Sequence, residues 1–276
     1  MRIENVIKKF NQDEIYRCPK CCANSKITGI SLCCENSHRY DFSKKGYIHL
    51  INNYKKTKYN EELFVARKNI FETGFYKPVL EVLKVLMEKY SKKIVVDVGC
   101  GEGYYIRNLK KMFPNKYFFG LDNSKSAVKT AVKVDKDNPY MLANLVALPF
   151  KDKSISCVLN ILTPANYEEF FRVLGEEGYL IKIIPNADYL KEIRNLVNAG
   201  EYTNYDTIKL IENTCDIVER IRVNNTYRLT EILAKNFLKM TPLTFSKKLS
   251  ENDIKSLKEI TIDLEILVCR KKYEVK

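Results

Sequence analysis

Between Cys18 and His38 the sequence CPKCCANSKITGISLCCENSH holds five of the chain's nine cysteines and one of its two histidines. Thiolates and an imidazole at such short spacing are the donor set of a tetrahedral zinc site. Cys18-Pro19-Lys20-Cys21 is a C-x2-C knuckle, and Cys34 with His38 forms a C-x3-H pair. The intervening ITGISLC, with Gly29, reads as a short hairpin that returns the chain. Cys18, Cys21, Cys34 and His38 are therefore the expected ligands. Cys22 and Cys33 adjoin them, but choosing either changes the common knuckle spacing, so both are read as bystanders. A segment this short cannot fold on apolar burial alone, and the metal would supply most of its stability. Four protein ligands leave no open position, so its role is structural.

A second constellation lies in KKIVVDVGCGEGYYIRNLKKMF. The β-branched run Ile94-Val95-Val96 ends in Asp97. Gly99-Cys100-Gly101-Glu102-Gly103 follows, and a helical stretch runs from Tyr104 to about Phe113. Strand, glycine turn and helix bring backbone N–H groups against a nucleotide-like ligand. The G-x-G-x-G spacing departs from the G-x-G-x-x-G of dinucleotide binders. Some twenty residues on, YFFGLD reads as a second strand ending in Asp122, whose carboxylate can accept both hydroxyls of a ribose. With no phosphates to cradle, this pattern suits S-adenosylmethionine, which has a zwitterionic amino-acid end and a free ribose. The alternative is that the glycines serve only helix–strand packing.

The elements that must position these groups follow in phase. A third block, NLVALPF, opens on Asn144, which joins the cofactor candidates. Residues 156–162 form a buried strand after a polar turn, and residues 179–184 another after Glu176-Glu177-Gly178. Residues 191–235 read as largely helical, on the period of Lys191-Glu192-Ile193-Arg194-Asn195-Leu196-Val197, and residues 261–268 as a closing strand. Alternating β and α blocks argue for an α/β, Rossmann-like, mostly parallel sheet covered by helices, the class I S-adenosylmethionine-dependent methyltransferase arrangement, with a small N-terminal zinc-binding module. The charged stretch at 54–61 is the expected junction, dividing the chain into 1–56 and 57–276.

Composition sets limits on the setting. At 276 residues, 45% hydrophobic and 29% charged, the chain has the make-up of a globular protein rather than a disordered one. Arg2, Glu4, Lys8 and Lys9 interrupt any signal-peptide core, and no stretch approaches the roughly 18 apolar residues of a membrane span. A cytoplasmic protein with no membrane partner is expected, where thiols stay reduced and clustered cysteines bind metal. The net charge of +13 favours a polyanionic partner. Residues 1–58 alone carry twelve Lys/Arg against five Asp/Glu, making the cysteine segment the most basic piece. Arg39-Tyr40-Asp41-Phe42-Ser43-Lys44-Lys45-Gly46-Tyr47 and Lys55-Lys56-Thr57-Lys58-Tyr59 mix cations with aromatic rings, as an RNA-binding surface does; the alternative is that Tyr40, Phe42 and Tyr47 form the zinc segment's miniature core.

Taken together, these motifs resemble the large-subunit ribosomal RNA (guanine-N1-)methyltransferase family, tylosin-resistance relatives included. The shared stretches are CPKC…CENSHRYDFSKKGYIHLI, ARKNIFETGFYKP, DVGCGEGYY, FGLDNSK, ALPF and a late Met240-Thr241-Pro242, spanning residues 18 to 242 in order. The resemblance implies methyl transfer from S-adenosylmethionine to N1 of a guanine in a hairpin loop of 23S rRNA, with the zinc element helping to recognise RNA. It implies the same zinc ligands, and cofactor contacts at Tyr76, Gly101 and Glu102, with a further one near Tyr189, where relatives can carry His. With Asp97, Gly99, Gly103, Asp122 and Asn144 these complete the candidate cofactor site. A second copy of the chain is kept as a candidate partner.

Two other readings compete. A small-molecule methyltransferase would share the cofactor domain but would not account for a basic zinc segment. A zinc-containing RNA-binding protein without catalysis is opposed by the intact Asp97, Gly99, Gly101, Gly103 and Asp122. No residue identifies itself as the base; the loop Leu162-Thr163-Pro164-Ala165-Asn166 is expected only to position the acceptor. If the basic segment meets phosphates, RNA affinity falls steeply as salt rises from low to moderate concentration. An affinity flat across that range would contradict it.

Overall fold

The computed structural model describes residues 2–52, 54 and 59–272. The basic run 55–58 expected to meet RNA lies outside the described residues. The N-terminal segment contributes helix α1 (Ile3–Lys8) and strands β1 (Ser25–Thr28), β2 (Ser31–Cys34), β3 (Arg39–Asp41) and β4 (Tyr47–His49). Helices α2 (Glu61–Glu72) and α3 (Lys77–Tyr90) lead into β5 (Ile94–Val98), α4 (Tyr104–Met112), β6 (Tyr117–Asp122), α5 (Lys125–Val134) and β7 (Tyr140–Leu142). Then come β8 (Ile155–Ile161), α6 (Tyr167–Val173), β9 (Leu174–Pro185), α7 (Lys191–Leu196) and α8 (Tyr205–Thr214). The chain closes with β10 (Cys215–Arg228), α9 (Glu231–Met240), α10 (Glu251–Ser256) and β11 (Glu259–Lys271).

Eight strands form one sheet in the order β10-β11-β9-β8-β5-β6-β7-β4, parallel from β4 to β9, with β11 and β10 antiparallel. β5 lies between β6 and β8, so the chain winds outward in both directions from it, and the crevice at its carboxyl end is where such sheets bind ligands. Strand alternation sorts the apolar side chains onto two faces. Val95, Phe118, Leu159 and Ile181 join one core, whereas Val96, Phe119, Val158 and Leu180 join the other. Both faces are buried, which is why the central strands read as near-continuous apolar runs.

The N-terminal segment is built onto this sheet. β1, β2 and β3 make a separate three-stranded sheet, but β4 pairs in parallel with β7 at the edge of the large one. The second core contains Phe10, Tyr16, Leu32 and Phe42 together with Phe119, Phe150 and Val158. Tyr16 stacks on Phe150 with ring centroids 6.4 Å apart, and the Lys151 N–H donates to the Ile15 carbonyl at 2.7 Å. The described part of the N-terminal segment therefore shares a core with the chain that follows.

One local expectation differs from the structure. Residues 215–228, read as helical, form β10. The spacing of Ile217, Val218, Ile221 and Val223 satisfies a helical period as well as a strand's. Thirteen paired positions with β11 decide for the strand. Phe150 is fully buried between Tyr16 and Phe119. Phe150→Ala should cost about 3–5 kcal/mol of stability and speed amide exchange at Lys151 and Arg17, whose N–H groups donate across this seam to the Ile15 and Pro149 carbonyls. A loss under about 1 kcal/mol would contradict a shared core.

Candidate functional site

The four expected metal ligands converge. The ligand atoms of Cys18, Cys21, Cys34 and His38 all lie within 4.8 Å of one another. His38 Nδ1 is 3.6, 3.2 and 3.5 Å from the sulfurs of Cys18, Cys21 and Cys34, and the Cys21 and Cys34 sulfurs are 3.7 Å apart. A tetrahedron with Zn–S near 2.3 Å and Zn–N near 2.0 Å has edges of about 3.5–3.8 Å, so the cluster fits zinc. The Ala23 backbone N–H pulls the Cys21 thiol down to about 6, toward the thiolate a metal requires. The His38 backbone N–H donates to the Cys34 sulfur at 3.3 Å. Cys22, exposed, and Cys33 stay outside the cluster. Tyr40, Phe42 and Tyr47 are buried, the core alternative rather than the RNA-facing one, Tyr40 with its hydroxyl 3.8 Å from the Cys18 sulfur. Tyr40 and Phe42 join the core around the zinc segment, and Tyr47 joins the core on the other face of the large sheet.

A cavity of about 700 Å³ opens at the carboxyl ends of β5, β6, β8 and β9. Its floor is the turn after Val98. Gly99 has φ +85° and lies so close to the loop after β8 that a Cβ there would sit 2.5 Å from the Thr163 side chain. A Cβ at Gly101 would just reach the Phe64 ring, at 4.0 Å, and the Gly101 N–H donates to Asp122 Oδ2 at 2.9 Å, tying the turn to the end of β6. Ser124 N–H holds the other oxygen at 2.7 Å. Asp97 is different. It is 1% exposed, its Oδ1 has no partner among the described residues, and burial followed by the charge of Asp122 pushes it up to about 8.

Helix α2, capped by the Asn60 side chain on the Leu63 N–H, covers the cavity with Phe64, Arg67 and Phe71, which share one face at i, i+3 and i+7. Phe71 stacks on Tyr104 at 4.8 Å and meets Tyr76 at 4.7 Å, and the Tyr76 and Tyr189 hydroxyls are 2.9 Å apart. Tyr105 completes this aromatic wall with a buried hydroxyl that lacks a partner among the described residues. An unpartnered carboxyl beside aromatic faces is a receptor for cations such as an ammonium or a sulfonium. The residues present therefore fit S-adenosylmethionine, which when bound supplies an electrophilic methyl group.

Comparison with known proteins agrees with this geometry. Residues 16–58 match the family model described as "RlmA, N-terminal", a zinc ribbon, and residues 96–181 match a methyltransferase domain. The chain is 32% identical over 281 residues to a Bacillus subtilis (strain 168) protein, YxjB, that carries the name 23S rRNA (guanine-N(1)-)-methyltransferase, covering 95% of this chain and 99% of that one. The chain belongs to the 23S rRNA (guanine-N(1)-)-methyltransferase family. A family member from Streptomyces fradiae, named 23S rRNA (guanine(748)-N(1))-methyltransferase, is 25% identical over 92% of this chain and 96% of its own. The fold is also that of a Haemonchus contortus phosphoethanolamine N-methyltransferase solved with S-adenosylhomocysteine, at TM-score 0.50 and 16% identity over 79% of this chain and 58% of that one.

Seen from the cavity, the family's motifs have physical tasks. The late Met240-Thr241-Pro242 lines the wall, and Arg67 Nε donates to the Met240 carbonyl at 3.1 Å, joining α9 to α2. Tyr76, Asp97, Gly99, Gly101, Glu102, Asp122 and Tyr189 all line the cavity, whereas Gly103 and Asn144 do not. Gly103 is required for packing, since a Cβ there would collide with the Tyr140 hydroxyl, and Asn144 is exposed between Ala143 and Leu145, which line the cavity in its place. Glu102 is turned partly to Arg107, with Oε2 3.2 Å from the guanidinium. Lining residues that were not anticipated include Phe64, Arg67, Tyr105, Tyr202 and Lys182. Arg67 and Tyr105 lay within the shared motifs, and Lys182 was visible only as a cation in the apolar strand YLIKII.

Asp97 makes the unliganded protein sensitive to pH. Its folded-state pKa lies above the unfolded value near 4, so the folded form holds a proton that the unfolded chain releases, and stability falls as pH rises from about 4 to 8 by up to about 1.4 kcal/mol per pH unit. Asp97→Asn should flatten that decline in thermal melts. Parallel wild-type and variant curves would contradict the assignment.

Proposed function

We propose that this chain transfers a methyl group from S-adenosylmethionine to N1 of a guanine in a hairpin loop of 23S rRNA, in the cytoplasm, with residues 1–56 as the zinc-pinned RNA-recognition module and 57–276 as the transferase domain. The observation that carries the reading is the partnerless Asp97 carboxyl facing an aromatic wall at the point where the sheet's winding reverses. Asp97, Asp122, Gly101, Tyr76 and Tyr189 would hold the cofactor, with Asp122 toward the ribose. In-line displacement depends on alignment, so the protein's main task is to hold N1 opposite the methyl group. A guanine reaches the cavity only when splayed from its loop, and Tyr167 and Tyr202 on the lining are suited to stack against it. Lys20, Lys26, Lys44 and Lys45 are exposed on the basic segment, and Arg39 is tied to Asp41 at 2.9 Å, leaving the four lysines to meet phosphates. Among the described residues no helix is long and apolar enough to cross a membrane.

Mass mapping of 23S rRNA from cells with and without the protein tests the reading. One N1-methylguanine should vanish in its absence, and an unchanged set of methylated guanines would refute it. Removing the metal, or Cys34→Ser, should lower rRNA methylation at least about tenfold while S-adenosylmethionine affinity stays within a few-fold. Undiminished rRNA methylation by metal-free protein would remove residues 1–56 from RNA recognition.

A further inference from the structure

Lys182 is a buried cation that the account so far leaves without a task. It stands in β9 between Ile181 and Ile183, is 4% exposed, and lines the cavity beside Thr163. Its Nζ donates to Asn160 Oδ1 and to the Thr163 carbonyl, the latter at 2.6 Å. Both acceptors are neutral, and no carboxylate among the described residues is paired with it. The orientation of Asn160 is fixed, because its Nδ2 donates to the Val98 and Pro164 carbonyls, each at 3.1 Å, which leaves the oxygen for Lys182. One buried amide thus clamps the end of β5, the loop expected to position the acceptor, and the lysine.

An unpaired ammonium in such a place is relieved by losing its proton, and burial lowers Lys182 to about 8. A neutral amine has two N–H groups and one lone pair. Both N–H groups are engaged by Asn160 and Thr163, so the lone pair is the one valence left. A bound sulfonium would favour the neutral amine further. Cys269 is the titratable group whose charge acts on Lys182, Cys215 is hydrogen-bonded to Cys269, and Tyr167 lines the same cavity. Cys269 on β11 is pushed up by the hydrogen bond it shares with Cys215 and by burial, Cys215 on β10 is pulled down by that bond, and burial pushes up Tyr167 at the start of α6. Asp97 on β5 titrates near the same pH in the unliganded protein.

We propose that Lys182 Nζ is the base that accepts the N1 proton of the target guanine. The inference rests on the proposed acceptor being guanine N1. As the N1–methyl bond forms, the carbon–sulfur bond breaks and its electron pair stays on sulfur. The N1–H electron pair stays with the purine, the proton moves to Nζ, and the resulting ammonium later releases it to water. The charge lost from the sulfonium reappears on Lys182, so the site's net charge is unchanged.

Because Asp97 and Cys215 could also shape a rate profile, the test begins with a residue-specific titration. In the folded protein labelled with 13Cε-lysine, the resonance missing from Lys182→Arg should titrate near pH 8. Single-turnover methylation with saturating cofactor and 23S rRNA should rise about tenfold per pH unit below that point and level above it. Arg keeps the charge and donors but cannot give up a proton. Lys182→Arg should therefore lose about 10²–10⁴-fold in rate and lose the pH limb, with cofactor and RNA affinity within a few-fold. A Lys182 resonance titrating above pH 10, or a Lys182→Arg rate within tenfold of wild type, would overturn the proposal. The wild-type pH profile decides equally if that variant does not fold, since a rate flat from pH 6 to 9 overturns it too. If wild-type protein forms no N1-methylguanine at any pH, the acceptor reading itself has failed; if N1-methylguanine forms without dependence on Lys182, only the base has.

Discussion

A buried carboxyl without a protein partner is the constraint around which this site is arranged. Asp97 sits near the end of the central strand, where the sheet's winding reverses and both faces are covered, so its carboxyl is almost wholly removed from solvent. Burial pushes it up to about 8 in the unliganded protein, and a bound cation would favour its ionised form. The glycine turn, the Asp122 tie to Gly101 and the rings of α2, α3 and α4 close around that vacancy in the charge balance. Each lies where it does because β5 ends there.

The same economy of placement links cofactor side and acceptor side. Gly99 is packed against Thr163, and Asn160 joins Val98 to Pro164, so the turn after β5 and the loop after β8 form one continuous floor. Small displacements in either would misalign an in-line transfer, which depends on angle and distance more than on strong contacts. The N-terminal segment is likewise bonded to the main sheet through β4 and through the Tyr16–Phe150 stack. A metal-pinned head fixed on the sheet can present RNA in a constant orientation.

Much of this was legible in the sequence because the chemistry lay in local patterns. C-x2-C followed by C-x3-H names a metal site without any fold, and strand, glycine turn, helix and a second acid twenty residues on name the cofactor crevice. What was hidden depended on contacts between distant segments. β10 shows apolar spacing compatible with a helix, and only its pairing with β11 makes it a strand. Gly103 looked like part of the ligand turn but exists to admit Tyr140, and Asn144 missed the cavity by one residue on either side. The rings of Tyr40, Phe42 and Tyr47 stayed open between stacking surface and small core, because composition cannot tell the two apart. Lys182 looked like an interruption in a strand, and its partners Asn160 and Thr163 became neighbours only through the parallel pairing of β8 and β9.

The most direct test of this account is the count of protons exchanged when S-adenosylmethionine binds, read by titration calorimetry at pH 7 in buffers of differing ionisation enthalpy. If Asp97 is neutral in the free protein and ionised against the cofactor's cationic end, wild-type protein should release close to one proton and Asp97→Asn almost none. Binding that releases no proton, or the same release from both proteins, would contradict it.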